Sequence, residues 1–345
     1  MSPEAGARGV PAPRGGRAPS YTAAALSLST SVHAFVQLVE LSAPLFALVL
    51  IGYLIGRSGR WPVSYSEALT KFLFAVPLPA LLFRLGSDMS RLPPVDIRVL
   101  VAFFGGCLVL FVIARVLGLL LFSLDGVGQS VFALGGIFSN NVFLGIPLAA
   151  AALGDAALPS IGLVLVFNSL TLWTLATASV EWARHGELSL KGFGKTLRSV
   201  LTNPIVASIL AGSAFGLTGW RLPAVIDAPL AMLAQPAIPM SLVVLGMGLA
   251  QYGLRAGWEV AAGITAMKLL GQPLAVWGIA RAIGLPPLET QAVVLLAALP
   301  VGINVYLMAR EFKAIEGPVA TSMLLSTLLA ALTVPLALSL LGVGR

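Results

Sequence analysis

The chain has 345 residues, 58% of them hydrophobic and only 10% charged, with a mean hydropathy of +0.95. Soluble domains carry about 25% charged residues, so this composition excludes an ordinary soluble protein and points to an all-α integral membrane protein with many spans. One cysteine, Cys107, excludes a disulfide framework, and two histidines, His33 and His185, leave little for metal or acid–base chemistry.

The net charge of +7 is read as loop arginines that set orientation, with an anionic substrate as the second reading. Residues 1–32 are rich in Ala, Gly, Ser and Pro and are expected to form a disordered tail. No compact apolar core precedes a cleavage site there, so no secretory signal peptide is read. A spanning helix needs about 20 apolar residues. Ten candidates follow, at 35–56, 68–85, 97–122, 127–153, 158–182, 203–217, 224–250, 260–285, 292–310 and 319–341.

The fourth candidate carries Ser139, Asn140 and Asn141 in a row, with Gly145 and Pro147 just beyond. A proline removes a backbone donor and clashes with the carbonyl four residues back, so an unbroken helix is not expected. In lipid each freed backbone group costs several kcal/mol unless protein or a watery cavity satisfies it. The ninth candidate has a similar interruption at Pro300, Gly302 and Asn304.

The connecting loop 185–202 divides the chain into halves, 33–184 and 203–345. Pro44, Gly52, Gly56 and Gly59 recur 160 residues later as Pro204, Gly212, Gly216 and Gly219. Pro77 and Pro79 pair with Pro236 and Pro239, and the run Ile113-Ala114-Arg115 pairs with Ile279-Ala280-Arg281. Each half holds five spans, an odd number, so the second half enters the bilayer from the opposite face. That is an inverted repeat, the mark of secondary transporters, and the matching interrupted spans point to the substrate site. Orientation rests on loop arginines and lysines. One face holds Arg57, Arg60, Arg184, Lys191, Lys195, Arg198, Arg255, Arg310 and Lys313; the other holds Arg84, Arg91, Arg98, Arg221, Arg281 and Arg345. Nine against six puts the first face in the cytoplasm and both termini outside.

Residues 35–341 resemble the auxin efflux carrier family, in its bacterial type, which is related to the bile acid:sodium symporter fold. The resemblance rests on Asn140-x-x-x-x-Gly145-x-Pro147 in the fourth span and on 298–303 with 309–312 around the ninth. Asn203-Pro204, Ser326-Thr327, Pro77-Leu78-Pro79 and Leu245-Gly246 add to it. It implies ten spans in two inverted repeats, with the fourth and ninth crossing at their prolines beside the substrate. It further implies a scaffold of spans 1, 2, 6 and 7, a transport domain of spans 3–5 and 8–10, an elevator-type movement, a homodimer through the scaffold, and small organic anions as substrates. Unlike the plant carriers, this chain has no long loop between its halves, which makes auxin itself a doubtful substrate.

New helix starts at the breaks present backbone N–H groups and a positive dipole end, which suit a carboxylate. Asn140, Asn141, Asn168 and Asn304 can bind the same anion, with Gly145, Pro147, Pro300 and Gly302 shaping the site; amides that merely cap broken helices are the plainer alternative. Lys268 is the most central charge of any span, and such a residue is a functional candidate by default. It is expected to attract an anion or take part in coupling, or else to snorkel or to pair with a carboxylate such as Glu40. Glu40 is a second coupling candidate.

The expected function is secondary active transport of mono- or dicarboxylates across the inner (plasma) membrane. No enzyme, cofactor, resident metal, nucleotide or nucleic acid is called for, and proton or sodium coupling stays open. A sodium-coupled symporter of steroid-like or other organic anions is the alternative, disfavoured by the lack of Asp or Glu beside Pro147 and Pro300. A phosphate-loop reading of 192–196 fails because position 189 is Ser189 and no strand precedes it. The Gly52/Gly56 and Gly212/Gly216 pairs are read as close-packing faces within the protomer.

Overall fold

A computed structural model describes residues 20–88, 96–185, 204–251 and 257–343. Residues 1–19 of the expected tail, most of the connecting loop, Asn203, the 192–196 stretch and Arg91, Arg255 and Arg345 lie outside the described residues. The helices are α1 (Ser20–Arg57), α2 (Val63–Ala75), α3 (Pro77–Asp88), α4 (Arg98–Phe122), α5 (Gly126–Ile137), α6 (Ile146–Leu153) and α7 (Leu158–His185). After the connecting loop come α8 (Pro204–Leu217), α9 (Ala224–Ala234), α10 (Ala237–Leu249), α11 (Trp258–Ala266), α12 (Gln272–Ala282), α13 (Pro287–Ala298), α14 (Ile303–Phe312) and α15 (Glu316–Leu340). α1 thus begins inside the stretch expected to be tail.

Among the described residues, seven stretches are long and apolar enough to cross a bilayer, while 126–137, 141–153, 204–217 and 287–298 are apolar but shorter. Three of the four short ones are halves of the fourth and ninth expected spans. These two segments break in the middle, as their sequences require, and neither half reaches a full span. The second and seventh expected spans also divide, at Val76–Pro77 and at Gln235–Pro236. Here each proline's missing donor ends one helix and starts the next.

Glycines decide how the helices pair. α1 lies along α10, and α8 lies along α3. A methyl group built on Gly52 would sit on the Val243 carbonyl, and one on Gly246 would sit on the carbonyl of Val49. In the second pair, Gly212 faces the Phe83 carbonyl, Gly216 faces Gly86 and Ser87, and Gly86 faces Ile209 and Ser213. The two contacts are reciprocal. The first helix of each half packs on the second expected span of the other half. With lipid tails as apolar as leucine, backbone approach across small residues supplies the attraction. Arg84 on α3 adds an ion pair to Asp227 on α9, Nε to Oδ1 at 2.7 Å.

A second group surrounds the breaks. α4 packs on α5 and α12, α5 on α7, α13 on α12 and α15, and α11 on α15. Asp125 caps α5 through a 2.7 Å bond from Gly128 N–H to its Oδ1.

Gly212→Leu is expected to drive α8 off α3 and destabilise the protein by at least about 1–3 kcal/mol, as overpacking does. Gly248, where an added methyl meets open space, gives the control, since Gly248→Ala should be neutral or mildly stabilising. Melting temperature in detergent reads both.

Candidate functional site

α5 ends at Ile137 and α13 ends at Ala298. Beyond each end the chain is extended, with φ −93°, ψ 101° at Phe138 and φ −64°, ψ 157° at Leu299. The two extended pieces meet as an antiparallel bridge between Ser139 and Val301. Asn140 N–H donates to Pro300 O at 2.9 Å, and Gly302 N–H donates to Phe138 O at 2.8 Å. Val301 N–H donates to Ser326 Oγ at 3.0 Å. Both chains then return to helix, through a π-helical turn at Asn141–Gly145 into α6 and directly at Ile303 into α14.

The crossing therefore lies at Ser139 and Val301. It includes Pro300 but not Pro147, which corrects the expectation that both prolines mark it. Pro147 is buried in the first turn of α6. It leaves the Phe143 carbonyl without its helical donor, and Ser241 Oγ reaches that carbonyl at 3.2 Å. A second π-helical turn, Met267–Gly271, likewise precedes a proline, Pro273. Both places read Leu-Gly-x-Pro, at Leu144–Pro147 and at Leu270–Pro273. The wider π turn relieves the contact between the proline ring and the carbonyl behind it.

The segment around the second π turn supplies what the broken helices lack. Lys268 is fully buried, and its Nζ donates to Ala297 O at 2.6 Å, at the C-terminal end of α13. Gln272, also fully buried, donates from Nε2 to Ile137 O at 2.8 Å, at the C-terminal end of α5. Its Oε1 accepts from Ser139 Oγ at 3.3 Å. An ammonium at the negative end of a helix dipole is well placed electrostatically. Lys268 thus neither lines the site nor pairs with Glu40, which lies exposed on α1.

Beside the crossing, at the starts of the new helices, is a cavity with about 70 Å³ of room for the centre of a water molecule. Asn140, Asn141, Asn168, Gly302 and Asn304 all line it, so five of the expected site residues come together. Gly145, Pro147 and Pro300 do not. Gly145 instead lets the π turn pass Leu296 and Leu299 closely. Apart from Ser139, the remaining wall is apolar and includes Phe74 from α2 and Ile205 and Val206 from α8. Phe74 also touches Phe143, with ring centroids 5.4 Å apart. No charged side chain among the described residues lines the cavity.

Its amides are not all satisfied within the protein. Asn141, 2% exposed, has no partner at either Oδ1 or Nδ2, and Asn168, 4% exposed, has none at Oδ1. Buried polar groups are normally hydrogen-bonded. Amides that only capped helices would already be paired, so these three atoms mark a place for something polar. Sequence reasoning missed Gln272, Ser241, Phe74, Ile205 and Val206. Gln272 had a signal, a polar residue one helical turn beyond Lys268 and just before a proline.

The family described as "Membrane transport protein" matches residues 37–338. A "Putative malonate transporter" of Rhizobium meliloti is 27% identical over 305 residues, covering 86% of this chain and 94% of that protein. "Auxin efflux carrier component 8" of Arabidopsis thaliana is 22% identical over 350 residues, covering 85% and 94%. "Uncharacterized transporter YfdV" of Escherichia coli K12 is 26% identical over 315 residues, with the same coverage of 85% and 94%.

Replacing a cap and replacing a site amide should differ in outcome. Gln272→Leu strands Ile137 O and is expected to cost about 1–3 kcal/mol, the penalty of an unpaired buried group. Thermal unfolding of the purified protein measures it.

Proposed function

Because the chain belongs to the membrane transport protein family that includes the auxin efflux carriers, and is therefore a multi-span plasma-membrane transporter rather than an enzyme, we propose that it is a secondary active transporter of small organic anions, mono- or dicarboxylates. The observation that carries this reading is the uncharged cavity where two new helices begin beside unpartnered buried amides. Free N–H groups and positive dipole ends bind carboxylates without a cationic side chain. The amides then hold the acid's other oxygens.

Size favours short acids. One water needs about 10–15 Å³ of such space, so the cavity holds roughly five water-sized groups. A three- or four-carbon acid suits that room better than indole acetic acid. The name of the rhizobial relative fits the same class.

Ten spans in two inverted repeats belong to this proposal. The sequence landmarks that recur in the same order in both halves and the reciprocal α1–α10 and α8–α3 contacts support it. In this reading α1–α3 and α8–α10 are the scaffold and the other helices move against it. The cavity wall fits, because α2 and α8 supply Phe74, Ile205 and Val206 while the segment between α5 and α6, α7 and α14 supply the amides. Movement of the crossing past that apolar wall would expose the amides to alternate sides, an elevator-type cycle. A homodimer through the scaffold suits the exposed Leu217, Trp220, Val225 and Met232.

Uptake into proteoliposomes, with and without imposed proton or sodium gradients, tests the function. Malonate and malate should enter saturably, and indole acetic acid should compete poorly. Unsaturable flux would mean a channel, and no flux of any carboxylate would remove the organic-anion reading. Asn141→Ala should lower uptake at least about tenfold, the effect of about 1.4 kcal/mol. It should leave thermal stability nearly unchanged, because no hydrogen bond within the protein is lost.

A further inference from the structure

The crossing brings four helix ends together. α5 and α13 present their C-termini, each equivalent to roughly half a negative charge, while the helices starting at Asn141 and Ile303 present N-termini worth roughly half a positive charge each. These four ends sum to about zero. On the negative side, Lys268 donates to Ala297 O and Gln272 donates to Ile137 O. These bonds close the two C-termini and leave the two N-termini open, facing the cavity lined by Asn141, unpartnered at both amide atoms, and Asn168, unpartnered at Oδ1.

We propose that the crossing is built to neutralise one negative charge, so the transporter carries its acid as a monoanion, and a dicarboxylate enters as its hydrogen form. The proposal rests on the organic-anion reading of this site and narrows it. A second carboxylate would find amides and aromatic or aliphatic walls but no countercharge. Doubly charged groups are poorly held in such surroundings unless paired. A protonated carboxyl is both donor and acceptor, as an asparagine amide is, so it matches Asn141 and Asn168 where a carboxylate would meet their carbonyl oxygens.

The other titratable and charged groups on the elements that meet here stand outside the cavity lining. Glu67 and Lys71 lie on α2, Glu181 and Arg184 near the end of α7, and Tyr306, Arg310 and Glu311 on α14; Glu289 and Glu316 lie in the first turns of α13 and α15. Cys107 is buried against Gln272, behind the crossing.

The test compares malonate with monomethyl malonate, which keeps one charge across the range, in the full-length protein in proteoliposomes. Each acid is scored for uptake and for competition with the other, at successive pH values through malonate's second ionisation. The readout is the ratio of the two apparent affinities, which cancels titration of the protein itself. With a monoanion carrier, the ratio moves against malonate by about tenfold per pH unit above that ionisation, because apparent affinity scales with the competent fraction. A ratio that stays flat, or malonate tightening as its dianion accumulates, overturns the single-charge proposal and leaves the organic-anion transporter standing. Uptake of neither acid overturns both.

Discussion

Two hydrogen bonds between extended pieces of chain hold the centre of this protein together. Asn140 N–H meets Pro300 O, and Gly302 N–H meets Phe138 O. Each breaks a helix in order to form, and a broken helix inside a bilayer leaves carbonyls on one side and N–H groups on the other without partners. The surrounding structure answers much of that cost group by group. Ser326 takes the Val301 N–H, Gln272 takes Ile137 O, Lys268 takes Ala297 O, and Ser241 reaches Phe143 O. The polar residues buried around the crossing are otherwise out of place in so apolar a chain.

Compensation is uneven on the two sides of the crossing. The carbonyl side of the crossing is closed by an ammonium and an amide from one segment, 267–272. On the N–H side there is a cavity, and three amide atoms there have no protein partner. A chain that needed only to close its broken helices would have closed both sides. The open side is the one whose dipoles are positive, the end that favours negative charge.

The glycine faces have a different part. Gly52 and Gly246 between α1 and α10, and Gly86, Gly212 and Gly216 between α3 and α8, bring backbones nearly into contact. Such pairs are held by close packing and make rigid units. Only a few apolar side chains from α2 and α8, with Phe74 foremost, reach the cavity from that group.

The sequence by itself determined the membrane class, the broken fourth and ninth segments, the glycine faces and five of the residues around the cavity. These are local properties: proline and glycine act on their own backbone, and three polar residues in an apolar run must be satisfied nearby. It placed Pro147 at the crossing and left the partner of Lys268 open, because both depend on distant parts of the chain. Whether a proline lies at a crossing is set by where the other strand arrives, and here the π turn absorbs Pro147 before that point. Whether a buried lysine faces a substrate or a carbonyl is set by which helix end stops beside it. Only the tertiary structure brought Ala297 to Lys268 and Ile137 to Gln272, and so decided which side of the crossing is closed and which is open.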